Sequence, residues 1–199
     1  MILNHQIVQI MPTKSDLLSA IPDRWNIFGN SCPAISLRPF CAGTDMPVIQ
    51  KWIKEDCGAQ PFLDQGSDLL GDIYSGIADS DAAQIFIGMV DDDPVCEIEI
   101  YMASQHAISL AYEAQTGDYY LDLLPTPSTP QPHMSELLSN AMEYFFSFGE
   151  VNRVLAEADI NNEGMNALLR KAGFHFYKRV SAPYKISNLY FCTRRLLWS

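Results

Sequence analysis

Apolar side chains recur along this chain with two periods, and the alternation between them lays out a sheet covered by helices. The first run, Ala34–Phe40, reads as a strand. Thr44-Asp45 then caps a helix with Pro47 near its first turn, and Val48, Ile49, Trp52 and Ile53 recur at helical spacing until Gly58 stops it. Leu69, Leu70, Ile73, Tyr74 and Ile77 share one face of a second helix, from Ser67 to about Ala78. Two apolar runs, Gln84–Val90 and Val95–Met102, predict strands, with Asp91-Asp92-Asp93-Pro94 turning them into a hairpin. A further strand runs from about Asp118 to Leu124, and a proline-rich loop follows from Pro125 to His133. The stripe Leu137, Leu138, Ala141, Met142, Phe145 and Phe146 predicts a core-facing helix. Arg153–Ala158 is the next strand. Asn161 or Asn162 caps a short helix striped by Met165, Leu168, Leu169 and Ala172, and Gly173 supplies its left-handed ending. Phe174–Val180 and Ile186–Leu196 complete the strands. The order β-α-α-β-β-β-α-β-α-β-β predicts an α/β (α+β) domain, a mixed sheet with helices on its faces.

Composition narrows this picture. A chain of 199 residues, 48% hydrophobic, has the length and apolar content for one domain with a full core. Residues 1–33 precede the first strand as an N-terminal arm, with Trp25 and Phe28 as its anchors, and residues 34–199 form the domain. The longest apolar runs, such as Ile85–Val90, are far too short to span a membrane. The N-terminus lacks the basic segment, apolar stretch and cleavage site of a secretory signal, so a cytoplasmic location is expected. Five scattered cysteines without a CxxC pair read as reduced thiols, and no metal is expected.

Charge narrows it further. The net charge of −11 is uneven: residues 55–152 hold eighteen acidic side chains and no Lys or Arg, whereas residues 153–199 hold eight basic ones against Glu157, Asp159 and Glu163. Nucleic acid is excluded as a partner, because phosphate binding needs a basic face over much of the fold. The acidic middle suits a cationic substrate and the basic C-terminal part an anionic cofactor. Most of the acids, Asp91-Asp92-Asp93 among them, solvate loops.

This order of elements resembles that of the GNAT acyltransferases, as does Asn161-Asn162 followed by a helix ending in Ala172-Gly173-Phe174. Further segments resemble the siderophore-biosynthesis branch, which includes the aerobactin-type hydroxylysine N-acetyltransferase and the mycobactin N-acyltransferase. Trp52 and Pro61-Phe62 fall where that branch carries a Trp and a Pro-Phe. Pro94-Val95 leading to Glu99-Ile100-Tyr101 is similar to its P-x-x-x-x-E-x-Y strand. Gly117-Asp118 with Leu121-Asp122-Leu123-Leu124 resembles its G-D-x-G-x-H-L-L strand, and Arg153–Glu157 its R-V-V-A-E strand. Ala182-Pro183-Tyr184-Lys185 resembles its x-P-H-K element, and Arg194-Arg195 its basic last strand. The resemblance runs colinearly over residues 34–197 and implies a mostly antiparallel sheet of about seven strands flanked by about four helices. Three departures stand out: Asp122 replaces the His of H-L-L, Ala158 replaces the Pro of E-P-D, and the phosphate loop has Pro125, Pro127, Pro130 and Pro132 in place of glycine.

The resemblance implies an N-acyltransferase moving an acetyl or other acyl group from acyl-CoA to a small hydroxylamine or amine, and it leaves room for a homodimer. Such chemistry needs a neutral nitrogen, a base for its proton, donors for the developing oxyanion and a site for the pyrophosphate. A hydroxylamine nitrogen is already neutral near pH 7, so a modest base suffices. Asp122, in the place of the family's His, is the first candidate; burial beside Glu99 is expected to raise it from about 3.9. Asp159, matching the acid of E-P-D, is the second. Backbone at Leu123 and Leu124, the hydroxyls of Thr126, Ser128, Thr129 and Ser135, and Asn162 are the cofactor-binding candidates; Asn162 also reads as a helix cap. Glu99 and Tyr101, which alternate on one strand and share a side, are acceptor-binding candidates with Tyr184 and Lys185. His106 and His133 have no partner at ligand spacing and are assigned no role. Two alternatives stand beside this reading. One is a GNAT fold that has lost catalysis and binds a ligand or partner. The other is a general amine or protein N-acetyltransferase, which is disfavoured because Leu169 lies where many such enzymes carry a Tyr acid.

Overall fold

The protein is described by a computed structural model covering residues 16–19, 25–26, 34–55, 67–126, 129–182 and 185–197. The chain opens with a short helix α1 (Asp16–Ser19) and a two-residue strand β1 (Trp25–Asn26), followed by β2 (Ile35–Pro39), α2 (Ala42–Glu55) and α3 (Ser67–Ala78). Next come β3 (Ala83–Val90), β4 (Asp93–Met102), two 3-10 turns (Ala103–Gln105 and Ala107–Leu110), β5 (Asp118–Pro125) and α4 (Gln131–Ser147). The last part is β6 (Arg153–Asp159), α5 (Glu163–Lys171), β7 (His175–Ala182), β8 (Lys185–Thr193) and α6 (Arg194–Leu197).

The strands form one sheet in the order β1-β2-β3-β4-β5-β6-β8-β7. Every neighbouring pair is antiparallel except β5 and β6. The sheet is therefore two antiparallel blocks joined by one parallel seam, and a parallel seam needs a crossover, which α4 supplies. The expected mixed, mostly antiparallel architecture is the observed one. The eighth strand is the short β1 at the edge, and four helices of the described residues have nine or more residues.

The pleat divides the apolar residues between two faces. Ile98, Ile100, Tyr119, Leu121, Val154 and Ala156 meet the α4 stripe Leu137, Leu138, Ala141, Met142 and Phe145 in the main core. Ile85 and Ile87 point the other way, under Ile49, Trp52 and Ile53 of α2 and Tyr74 of α3. Further along that second face, Tyr120 and Leu155 pack beneath Ile108 of the second 3-10 turn and Tyr112 just after it.

Several boundaries differ from the sequence expectation, each for a physical reason. Helix α2 starts at Ala42 rather than at Thr44-Asp45. The Arg38 guanidinium forks onto the Asp45 carboxylate at 2.7 and 2.6 Å, and Asp45 also accepts the Cys41 N–H at 2.7 Å. Burial pushes Asp45 up, but Arg38 and Cys41 outweigh it and hold the carboxyl below its ordinary value. The hairpin turn is tighter than expected, because Val90 pairs with Asp93 and only Asp91-Asp92 turn, with Asp91 at φ 54. Pro94 lies inside β4 opposite Met89, at the register shift between Gly88 and Met89. Helix α4 begins at Gln131, inside the expected loop, because Pro132 falls in the first turn, where a missing N–H leaves no bond unmade. The last strand ends at Thr193, whose hydroxyl accepts the Leu196 N–H at 3.4 Å and starts a helical turn.

The segment before β2 is held to the domain at Leu17 and Leu18. Leu17 and Leu18 are fully buried in the main core, and the Leu17 N–H donates to Glu150 Oε1 at 2.8 Å. Trp25 lies opposite Leu37 in β1, and Phe28 is outside the described residues. Cys96 and Cys192 are buried free thiols and Cys41 is exposed; Cys32 and Cys57 lie outside the described residues. None of the described helices is long and apolar enough to cross a membrane. Leu17→Ala leaves a cavity beneath the sheet and is expected to lower unfolding stability by about 2–5 kcal/mol in urea titrations. An unchanged midpoint would place the arm outside the cooperative core.

Candidate active site

The seam between β5 and β6 is short. The strands share four register positions, from Asp118↔Arg153 to Leu121↔Ala156. Beyond them β5 stays with β4 as far as Pro125, opposite Cys96, while β6 stays with β8 as far as Asp159, opposite Ser187. The two strands therefore part after Leu121 and Ala156. Asp122 and Glu157 are the next residue on each lip, and the pleat directs both to the face of Tyr120 and Leu155.

Both carboxylates line a cavity of about 510 Å³. The sheet contributes Tyr120, Val180 and Ser187 to its lining, and the 3-10 segment covers it with His106, Ile108, Leu110 and Ala111. Antiparallel register sets Glu99 opposite Asp122 and Tyr101 opposite Tyr120. Within each strand the tyrosine serves the acid two residues away: the Tyr101 hydroxyl donates to Glu99 Oε2, and Tyr120 is hydrogen-bonded to Asp122. Burial, reinforced by these carboxylates, pushes both phenols far up, so they remain protonated donors.

His106 closes the arrangement from above. Its ring lies flat on Tyr120, with centroids 4.0 Å apart and planes 13° from parallel, and tilts against Tyr101 at 4.9 Å. Its Nδ1 accepts the Ile108 N–H at 3.2 Å, capping the second 3-10 turn. Its Nε2 is 3.7 Å from Asp122 Oδ2.

Glu97, one pleat further along β4, is 3% exposed and accepts the Tyr74 hydroxyl at 2.9 Å. Its other oxygen, Oε1, is buried with no donor. Burial, followed by the charge and hydrogen bond of Glu99, pushes this carboxyl well above its ordinary value; Tyr74 pulls the other way and Asp122 adds to the rise. A proton held against Glu99 supplies the donor that Oε1 lacks.

The residues singled out in the sequence divide into those the fold gathers here and those it uses elsewhere. Asp122, Glu99 and Tyr101 come together. Asp122 is 50% exposed, however, so the burial expected of it falls on Glu97 instead. Asp159 lies outside the lining of this cavity: its Oδ1 accepts the Asn161 N–H at 2.8 Å in the turn after β6. Asn162 caps α5, its Oδ1 accepting the Met165 N–H at 2.9 Å. Leu123 packs toward the main core and Leu124 toward the α2–α3 side, both on the β5 segment past the seam. The Thr126 N–H donates to the Val95 carbonyl, and Thr129 follows it in the loop before α4. Both threonines line a second cavity of about 590 Å³, which Trp52, Lys51 and His133 also line. The Ser135 hydroxyl donates to the Pro132 carbonyl at 2.9 Å, inside its own helix. Lys185 opens β8 opposite Ala182. Tyr184, Ser128 and Pro61-Phe62 lie outside the described residues.

Glu97, Glu157, Tyr120 and His106 belong to the site and were not among the sequence candidates. Two had a readable signal, since alternation from Glu99 gives Glu97 and alternation from Asp122 gives Tyr120, whereas the place of Glu157 follows only from where the β5–β6 register ends. His106 had none, because the 3-10 turns that deliver it show no hydrophobic period.

Helix α4 starts beyond the gap with Pro130 as its N-cap residue and no side-chain cap. Pro130 and Pro132 carry no N–H, and the His133 and Met134 N–H groups donate back to the Pro130 carbonyl at 3.1 and 3.3 Å.

Comparison with known proteins agrees with this fold. The family model described as an acetyltransferase (GNAT) domain matches residues 42–182. No curated protein matches the chain in sequence. A crystal structure of an uncharacterised protein (bh2621) from Bacillus halodurans superposes with TM-score 0.75 at 22% identity, covering 83% of this chain and 87% of that one. The structure of AAC(6')-Ib in complex with paromomycin and acetyl-CoA gives TM-score 0.71 at 18% identity, covering 82% and 96%. A chimera of the Vibrio cholerae spermidine N-acetyltransferase SpeG and hSSAT gives TM-score 0.65 at 14% identity, covering 83% and 98%. At these identities the likeness is one of fold.

The protonated state of Glu97 has a measurable sign. Folded Glu97 keeps its proton above the ordinary value of 4.5 and the unfolded chain releases it, so this group makes stability fall as pH rises beyond that value. Glu97→Gln mimics the protonated acid, its amide donating to Glu99 and its carbonyl accepting from Tyr74. Urea midpoints between about pH 5 and about pH 8 are expected to fall less for the variant than for the wild type. Equal slopes would mean that Glu97 is ionised in the folded protein.

Proposed function

The chain belongs to the acetyltransferase (GNAT) domain family, and on that premise we propose that it is an acyl-CoA-dependent N-acyltransferase whose acceptor nitrogen sits beside Asp122 and Glu157. The observation that supports this most is the parting of β5 and β6 with a carboxylate on each lip of the cavity. Peptide groups past the end of a strand pair offer hydrogen bonds to an extended ligand, and the pantetheine arm of coenzyme A carries two amides of that kind. In this reading the Leu123–Leu124 edge of β5 binds the arm. Thr126, Thr129 and the start of α4 face the pyrophosphate, where the helix dipole favours negative charge. Acetyl-CoA or another acyl-CoA supplies a thioester carbonyl as the acyl donor.

The chain's own residues then have a limited task. Asp122 accepts the proton from the acceptor nitrogen as the C–N bond forms and the C–S bond breaks, and the sulfur leaves to be protonated as the thiol. Backbone N–H groups of β5 at the gap stabilise the charge that develops on the carbonyl oxygen. Glu157 and Glu99 hold the acceptor by charge. The motif resemblance supports a small hydroxylamine acceptor of the siderophore type, whose neutral nitrogen asks little of a carboxylate base. One observation favours an ordinary alkylamine instead: the described lining carries Asp122 and Glu157 and no Lys or Arg, which suits a cation.

Thiol release from acetyl-CoA, measured with N-hydroxycadaverine, N-hydroxylysine and the parent amines, separates these acceptors. Asp122→Asn is expected to lower kcat by about 10²–10⁴-fold while leaving the unfolding midpoint in place. Full activity in that variant would remove Asp122 from the reaction. Absence of thiol release with every acceptor would favour a binding protein on this fold.

A further inference from the structure

Asp122 is half exposed on a strand lip, and an exposed carboxylate has several rotamers open to it. Proton transfer requires one of them. What distinguishes this carboxylate is the ring above it. A neutral imidazole has one N–H and one lone pair. The lone pair of His106 is taken up at Nδ1 by the Ile108 N–H, 3.2 Å away. The proton of the neutral ring therefore sits on Nε2, the atom 3.7 Å from Asp122 Oδ2, a separation that attracts N–H to carboxylate and that a small side-chain rotation closes to a hydrogen bond. Stacking on Tyr120 and the tilted contact with Tyr101 keep the ring from turning. Tyr120 meets Asp122 from the strand side, so the carboxylate lies between a phenol and an imidazole N–H, both carried on packed rings.

We propose that His106 is a positioning residue for the acyl-transfer reaction: it presents its Nε2–H to Asp122 and fixes that carboxylate in the rotamer that faces the acceptor nitrogen. This rests on the assignment of Asp122 as the base. The competing role is purely structural, because the Nδ1 contact alone caps the 3-10 turn Ala107–Leu110. The two roles use different nitrogens and can be separated by substitution. In His106→Asn a short amide keeps an acceptor near the Nδ1 position, which preserves the cap and removes the donor to Asp122. In His106→Gln the amide nitrogen reaches the Nε2 position, which preserves the donor and removes the cap.

Turnover with acetyl-CoA and the best acceptor, together with unfolding midpoints, reads both roles. His106→Gln is expected to keep kcat within a few fold of the wild type despite a lower midpoint. His106→Asn is expected to keep the midpoint and lose about 10–100-fold in kcat with a smaller change in acceptor KM, the scale of a misplaced catalytic group. The opposite pattern, an active Asn variant and an impaired Gln variant, would reduce His106 to a cap, and so would full activity in both. An active Asp122→Asn variant would instead remove the base itself, so the two failures are distinguishable. Independently of turnover, long-range ¹H–¹⁵N spectra of the wild-type protein are expected to show His106 as the Nε2–H tautomer, with a resonance that moves in Asp122→Asn. An Nδ1–H tautomer would overturn the proposal.

Discussion

The site depends on a seam that stops early. Two antiparallel blocks each satisfy their own strand hydrogen bonds, and four parallel register positions hold them together. On one side β4 is bent by the register shift between Gly88 and Met89. The backbone of Gly88 sits so close to its neighbours that an added Cβ would lie 2.8 Å from a Leu137 methyl, so this segment of β3 is pressed onto α4. Strand β5 stays registered on β4 through Pro125 and follows that bend. On the other side β6 stays registered on β8. Asp122 and Glu157 occupy the first positions past the seam, and two like charges across a closed pair would repel. Backbone geometry and side-chain charge therefore both favour an opening there.

Around that opening the acids are graded by depth. Glu97 is sealed beneath Tyr74, where burial raises its pKa, Glu99 is partly buried beside Tyr101, and Asp122 reaches the cavity. Each carboxyl is paired with a tyrosine, and burial keeps those phenols protonated as donors. A cluster of acids inside a fold is costly unless its hydrogen bonds are met from within. Here two adjacent strands and one helix meet them, and the outermost carboxylate is left facing the cavity. The same strands present Ile98, Ile100, Tyr119 and Leu121 to the main core on the opposite face, so the polar face is rigidly backed.

Much of the scaffold was legible in the sequence because its signals are local. Helix Ser67–Ala78 and the Leu137–Phe146 stripe follow from spacing alone, and Gly173 takes the positive φ that its place after α5 requires. The early start of α2 was not legible, since it is set by Arg38 reaching Asp45 from a neighbouring strand. Nor was the burial of Leu17 and Leu18, which depends on where the arm crosses the sheet. At the site, the family resemblance pointed to Glu99, Tyr101 and Asp122, and strand alternation put Glu99 and Tyr101 on one side. Asp159 and Asn162 proved to make local turn and cap bonds, an alternative that polar residues at strand ends and helix starts always carry. His106 could not be found by pattern, because its position beside Asp122 is a product of packing.

The proposed function requires that the gap past Leu121 and Ala156 receive the acyl donor along the edge of β5. Hydrogen exchange of the backbone amides, read by mass spectrometry with and without saturating acetyl-CoA, addresses it most directly. Slower exchange confined to peptides spanning residues 122–126 and the start of α4 is the predicted result. Unchanged exchange there, or protection only in distant segments, would leave the gap as a structural feature without a ligand.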